Sequence, residues 1–169
     1  SEELARELQR VVLVGMGTSQ YAALIGRHYL ERFARLPAEV DNSSEFGYRK
    51  PVLDKHTLVL SVAQSGETVD TLMAMEEARR AECPQITICN TPGSQATRIA
   101  DGTIYTRVGP EIAVASTKTL IGSVIALHAA ALHLGALRGT LDAETVRVEV
   151  EAGLHLPAAL GDALLLEDR

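Results

Sequence analysis

The chain is poor in aromatic residues, with no Trp, two Phe and four Tyr in 169 positions. A surface that stacks single-stranded bases needs several exposed rings, so that class of binding is not expected. Positive charge is also in deficit: 16 Lys and Arg stand against 22 Asp and Glu, a formal net charge of -6. Duplex binding draws on a basic face, and none is visible, so nucleic acid is not an expected partner. Two cysteines, Cys83 and Cys89, are too few for a disulfide scaffold or a thiolate cluster and read as reduced thiols near a strand. The histidines, at 28, 56, 128, 133 and 155, lack metal-ligand spacing. Neither a metal nor a cofactor is expected.

Long apolar runs are scarce too. The most apolar stretch, TLIGSVIALHAAALHLGAL from Thr119 to Leu137, approaches the roughly 20 residues of a membrane span. Its two histidines and the amphipathic segments on either side favour a buried helix instead. The chain opens on the charged, helix-like SEELARELQR rather than on a signal peptide, so a cytoplasmic location is expected. It also opens without Met, as an excised or processed piece of a longer chain would.

What is present is an ordinary globular composition, 46% apolar and 22% charged, in a length that suits one domain with a real core. Short β-rich runs alternate with longer helical ones. The strands expected are VVLVG (Val11–Gly15), AEVDN (Ala38–Asn42), TLVLSV (Thr57–Val62), QITICN (Gln85–Asn90) and GTIYTRV (Gly102–Val108). Helices are expected over Tyr21–Leu36, Val69–Glu82, a short TRIA turn, a long stretch from Thr117, and an amphipathic stretch from Ala143. Continuous apolar strands separated by helices pair in parallel with both faces covered. The fold class is therefore α/β: a three-layer αβα sandwich on a five-stranded parallel sheet, flavodoxin- or Rossmann-like. The core is expected over about 11–139, with a C-terminal helical segment over 143–169. That tail, rich in Glu, Ala and Leu, equally suits a connection to a following domain.

Doubly wound sheets bind ligands at the carboxyl ends of their strands, where the topology reverses. Three turns fall at such ends: GMGTSQ (Gly15–Gln20), AQSGET (Ala63–Thr68) and VASTK (Val114–Lys118). The first begins a dinucleotide fingerprint, and Asp41 falls where a ribose-binding acid would stand. Gln20, however, occupies the place of the third glycine, so the fingerprint is broken. All three turns set Ser or Thr hydroxyls beside free N–H groups at a helix start, an arrangement that suits an anion, usually phosphate. Taken singly, each turn could be a helix cap in which Ser65, Thr68 or Ser116 serves its own helix. Three together favour a shared phosphate pocket. Lys118 could neutralise a phosphate; its place at a helix start opposes the dipole and hints at a partner outside the helix. In NSSEFGYR (Asn42–Arg49), Glu45 reads as a capping or solvated acid. Asp70, Glu76 and Glu77 read as solvated helix residues.

In this order, GTSQ, SSEFGYR, QSGETVDTL, ICNTPGS and VASTK resemble the sugar isomerase (SIS) domain family. More narrowly, the chain resembles the first SIS half of the isomerase region of glucosamine-6-phosphate synthases (glutamine–fructose-6-phosphate aminotransferases). The resemblance runs from about Val11 to the final helix; QSGET alone marks the superfamily, while SEF.YR and VASTK are more specific. It implies a hexose 6-phosphate ligand, fructose 6-phosphate or glucosamine 6-phosphate. By motif, Thr18, Ser19, Gln64, Ser65 and Thr68 would hold the phosphate, with Gly17 and Gly66 among the substrate-binding residues. Val114 and Ser116 would line the sugar end, with the Val114 backbone in hydrogen-bond reach, and Ala115 and Lys118 complete the expected substrate-binding set. Two positions depart from the family pattern: Ala63 stands where Ser is usual, and Met16 where Cys is common. Losing one hydroxyl to a charged group costs roughly 1.5–3 kcal/mol.

In that family the acid–base glutamate and the ring-opening lysine belong to a second SIS half, and a site histidine comes from a neighbouring subunit. Aldose–ketose interconversion needs a base between C1 and C2. No residue of this chain matches one, so a binding half-site is expected, with its catalytic residues unknown and a second SIS domain or a homodimer as partner. Two other functions share the scaffold: a glucosamine-6-phosphate deaminase, and a non-catalytic phosphosugar sensor. A sensor of that kind would carry a helix-turn-helix segment, which is not found.

Overall fold

The computed structural model describes residues 1–112 and 116–165. Five strands, β1 (Arg10–Gly15), β2 (Ala38–Asn42), β3 (Thr57–Val62), β4 (Gln85–Cys89) and β5 (Gly102–Tyr105), form one parallel sheet in the order β2-β1-β3-β4-β5. Both faces are covered. Val11 and Leu13 of β1 join Leu58, Leu60 and Val62 of β3 under α1 (Glu2–Glu7), α2 (Thr18–Tyr29) and α6 (Lys118–Arg138). The alternate residues Val12, Val14 and Val59 face α3 (Ser43–Arg49) and α4 (Val69–Arg80). Period-two alternation thus feeds two cores from one strand, which is why β1 and β3 read as unbroken apolar runs. The polar residues on the α4 side pair with each other, the Ser61 hydroxyl donating to Thr87 Oγ1 at 2.8 Å.

The expected strands and main helices are all found, with shifted ends. α2 starts at Thr18 rather than Tyr21, because Gly17 takes a left-handed φ of 55° and turns the chain into the helix straight after β1. Its last turn widens into a π turn over Leu30–Ala34. The carbonyls this widening releases are not orphaned. Phe33 O accepts from the Thr140 hydroxyl at 2.7 Å, and Ala34 O from Arg138 Nε at 3.0 Å. Arg138 also donates to Ala5 O and Leu8 O, bolting the end of α6 to α1. β5 stops at Tyr105 rather than Val108: Thr106 N makes a last bond to Cys89 O, and Val108 N then turns aside to Asn90 Oδ1. The short helix expected at TRIA is α5 (Gln95–Ile99).

By length and composition α6 could cross a membrane. In the structure it packs on α2 and the π turn, burying Ala126, Leu127, Ala130, Ala131 and Leu134. A Cβ on Gly26 of α2 would come within 2.8 Å of Leu127, so the small residue there permits the close helix crossing. The final helix, α7 (Ala143–Leu164), buries none of its residues. Its polar link to the domain runs through Glu149, 3.5 Å from both Arg32 and His128.

Candidate functional site

With strand order β2-β1-β3, successive crossovers leave β1 in opposite directions, so the switch point lies between the carboxyl ends of β1 and β3. A cleft of about 530 Å³ opens there. Met16 to Ser19, after β1, form one wall, and Val62 to Ser65 with Thr68 and Thr71 the other; Ser116 closes the third side. Seven of the eleven residues expected at the site from sequence thus meet in it: Gly17, Thr18, Ser19, Gln64, Ser65, Thr68 and Ser116. Gly66 and Lys118 are not among its lining residues, Lys118 being exposed at the start of α6. Val114 and Ala115 lie outside the described residues.

The capping alternative for these hydroxyls is not what the structure contains. Gly17 stands at the N-cap of α2 with no side chain to offer, and Thr68 stands at the N-cap of α4 without a capping hydrogen bond. Ser65 Oγ accepts from Glu67 N at 3.2 Å, inside its own turn, which leaves its O–H free to donate outward. Two helix starts without side-chain caps therefore face one hydroxyl-lined cleft; at α2 the Ser19 and Gln20 N–H groups donate to Met16 O and Gly17 O, which leaves Thr18 N for a ligand. None of the described lining residues is an acid, His, Lys or Arg. The arrangement suits an anion held by partial charges and hydroxyls, and its described lining residues include no group that moves a proton at neutral pH.

The start of α6 differs. Glu111 lies seven residues upstream of it in sequence, yet its carboxylate accepts from Thr119 N at 2.9 Å and from the Thr117 hydroxyl at 3.2 Å. Thr119 N and the Thr117 hydroxyl at this helix start are thus already engaged by a carboxylate. Hydrogen bonding by Thr119, and then by Thr117, holds the Glu111 carboxyl below its ordinary range. A depressed folded-state pKa gives stability that is present above the unfolded value and lost as pH falls through the folded one. The difference in urea midpoint between the native chain and Glu111→Gln should therefore shrink as pH is lowered from 7 through the carboxylate range. A difference that stays constant with pH would refute the cap.

The AQSGET turn is held from below. Gly66 has φ 68°, and a Cβ there would lie 2.2 Å from Ser94 Oγ and 2.8 Å from Cys89 Sγ, both buried. Gly66 O accepts from Ala96 N, Glu67 Oε1 accepts from Gln95 N at 2.9 Å, and Gln64 O accepts from Asn90 N at 3.1 Å. The segment Asn90–Ala96 after β4 is thus the floor on which the turn rests. Sequence reading missed this support, and it missed Thr71, whose buried hydroxyl donates to Ser43 Oγ at 3.2 Å beside the cleft. The signal for Thr71 was its place one helical turn after Thr68.

The broken dinucleotide fingerprint has other occupants. Asp41 Oδ2 accepts from Arg49 Nε at 2.7 Å, and Gln20 Oε1 accepts from Asn42 Nδ2 at 3.2 Å. Asn42 in turn caps α3 through Ser44 N, and Glu45 is exposed beside it. Cys83 and Cys89 are free and buried, and burial pushes the Cys83 thiol up.

The SIS domain family matches residues 3–133, through the whole sheet and all three sides of the cleft. The chain belongs to the SIS domain family. Relatives named glutamine–fructose-6-phosphate aminotransferase [isomerizing] include one from Streptomyces coelicolor, 48% identical over 80% of this chain and 22% of its own length. Another, from Corynebacterium efficiens, is 40% identical over 99% of this chain and 27% of its own. Among solved structures, the C-terminal domain of glucosamine-fructose-6-phosphate aminotransferase from Francisella tularensis superposes with a TM-score of 0.93 at 31% identity, over 99% of this chain and 48% of that one. This SIS domain therefore spans about a quarter of the length of the curated relatives it matches.

Proposed function

We propose that this SIS domain is the hexose-6-phosphate-binding half-site of a glutamine–fructose-6-phosphate aminotransferase-like enzyme, taking fructose 6-phosphate or glucosamine 6-phosphate. The observation that carries the reading is the meeting of two helix starts without side-chain caps and the Thr18, Ser19, Ser65, Thr68 and Ser116 hydroxyls in one cleft whose described lining residues include none that is ionisable at neutral pH. A phosphate dianion would take its donors from the starts of α2 and α4 and from Ser65, while Ser116 would face the sugar. Proton transfer would come from residues supplied by a second SIS unit. Pairing of that kind, as a homodimer or with a second SIS domain, is favoured by the packed helices α2 and α6, which leave Tyr21, Leu24, Ile25, Ile121 and Ile125 exposed. A cytoplasmic location accords with a phosphorylated sugar as ligand.

Thermal unfolding with added ligands tests the proposal. At a hundred times the dissociation constant, fructose 6-phosphate or glucosamine 6-phosphate should stabilise the domain by about 2.7 kcal/mol, and NAD should not. Stabilisation by NAD alone, or by no sugar phosphate at all, would overturn it.

A further inference from the structure

Asn90, directly after β4, does not line the cleft, yet it bonds to one of its walls and to the segment that follows β5. Its backbone N–H donates to Gln64 O at 3.1 Å, in the turn proposed to hold phosphate. Its side chain reaches the segment that follows β5 and leads toward Ser116. Oδ1 accepts from Val108 N at 3.1 Å and from the Thr106 hydroxyl at 3.0 Å, and Nδ2 donates to Gly109 O at 2.8 Å. Val108 N can only donate and Gly109 O can only accept, so the orientation of the amide is settled by its partners. Neither Asp, which lacks the donor, nor Ala can make this set.

The segment needs such a tie because it is irregular. Thr106 N makes the last bond to β4, at 3.1 Å from Cys89 O, and beyond it Arg107 and Gly109 have φ of 53° and 74°. The segment is also anchored on α6, through Glu111 on Thr117 and Thr119 and where Gly122 leaves room for Val108: a Cβ there would lie 2.5 Å from Val108 Cγ1. Among the described residues, the Asn90 side chain is thus a direct polar link from the strand end that supports the Gln64–Thr68 turn to the segment that leads toward Ser116.

We infer that Asn90 is a positioning residue of the sugar-phosphate site, fixing the sugar-facing side against the phosphate-holding turn without touching the ligand. This rests on the sugar-phosphate reading and deepens it. Affinity for a sugar phosphate should depend on Asn90, whereas affinity for inorganic phosphate, held by the α2 and α4 starts and Ser65, should not.

The test is calorimetric titration of the native chain, Asn90→Asp and Asn90→Ala with fructose 6-phosphate and with inorganic phosphate, after thermal melting has selected the variants that remain folded. The expected result is a loss of roughly tenfold in fructose 6-phosphate affinity, the scale of one or two hydrogen bonds, with inorganic phosphate affinity unchanged. The effect should also be non-additive with Ser116→Ala in a double-mutant cycle. Asn90→Asp keeps the shape and the acceptors, so it remains informative if Asn90→Ala does not fold. Equal losses for both ligands, no loss, or full additivity with Ser116→Ala would overturn the positioning role while leaving the binding site in place. Failure of the native chain to bind fructose 6-phosphate would overturn both.

Discussion

Replacing Gly66 by Ala is expected to cost roughly 3 kcal/mol of stability and to abolish sugar-phosphate binding. Two separate terms contribute. A φ of 68° puts an L-residue in the left-handed region, worth about 1–2 kcal/mol. The added Cβ would also meet Ser94 Oγ at 2.2 Å and Ser94 Cβ and Cys89 Sγ at 2.8 Å, in a buried floor that cannot recede without strain; overpacking of this kind costs about 1–3 kcal/mol. The turn would have to lift off Asn90–Ala96, carrying Gln64, Ser65 and Thr68 out of the cleft. Urea unfolding of Gly66→Ala and of Gly66→Ala with Ser94→Gly separates the terms. The double variant should regain the overpacking cost in part and keep the conformational one. Native-like stability in Gly66→Ala would show that the turn is not held as described.

Ser65→Ala is expected to do the reverse, leaving the fold nearly intact and removing the ligand. Ser65 Oγ accepts one hydrogen bond, from Glu67 N, inside an exposed turn, so its loss should change stability by a few tenths of a kcal/mol. Its hydroxyl hydrogen, free to donate into the cleft, would meet a phosphate dianion. A hydrogen bond to a charged group is worth about 1.5–3 kcal/mol, so fructose 6-phosphate affinity should fall roughly 10- to 150-fold. Titration calorimetry beside a urea melt reads both quantities. A variant that binds as well as the native chain would remove Ser65 from the phosphate shell. The contrast matters because Gly66 and Ser65 are adjacent in one motif, yet one is needed for the shape of the turn and the other for what the turn holds.

Much of this was legible from residues alone. Hydrophobic period and run length are local properties, and they located all five strands and the helices between them, because a parallel strand covered on both faces must be apolar throughout. The three hydroxyl-rich turns could be found for the same reason: each follows a strand directly, and a doubly wound sheet collects such turns at one end. The family resemblance rested on those same short stretches.

What only the tertiary structure decided involves partners distant in sequence. Strand order is one case, since nothing in β2 states that it flanks β1 on the side away from β3. The start of α6 is another: read locally, VASTK offers a phosphate the same welcome as AQSGET, but folding brings Glu111 back onto Thr117 and Thr119 and engages those donors. Gly66 reads as a turn glycine until Ser94, 28 residues later, lies under it, and Asn90 reads as a strand end until Gln64, Thr106, Val108 and Gly109 converge on it. Sequence determines which backbone groups a segment leaves unpaired, because that follows from local geometry. Which atom comes to pair them depends on chain closure over tens of residues, and that is settled only when the sheet and its two helical layers have packed.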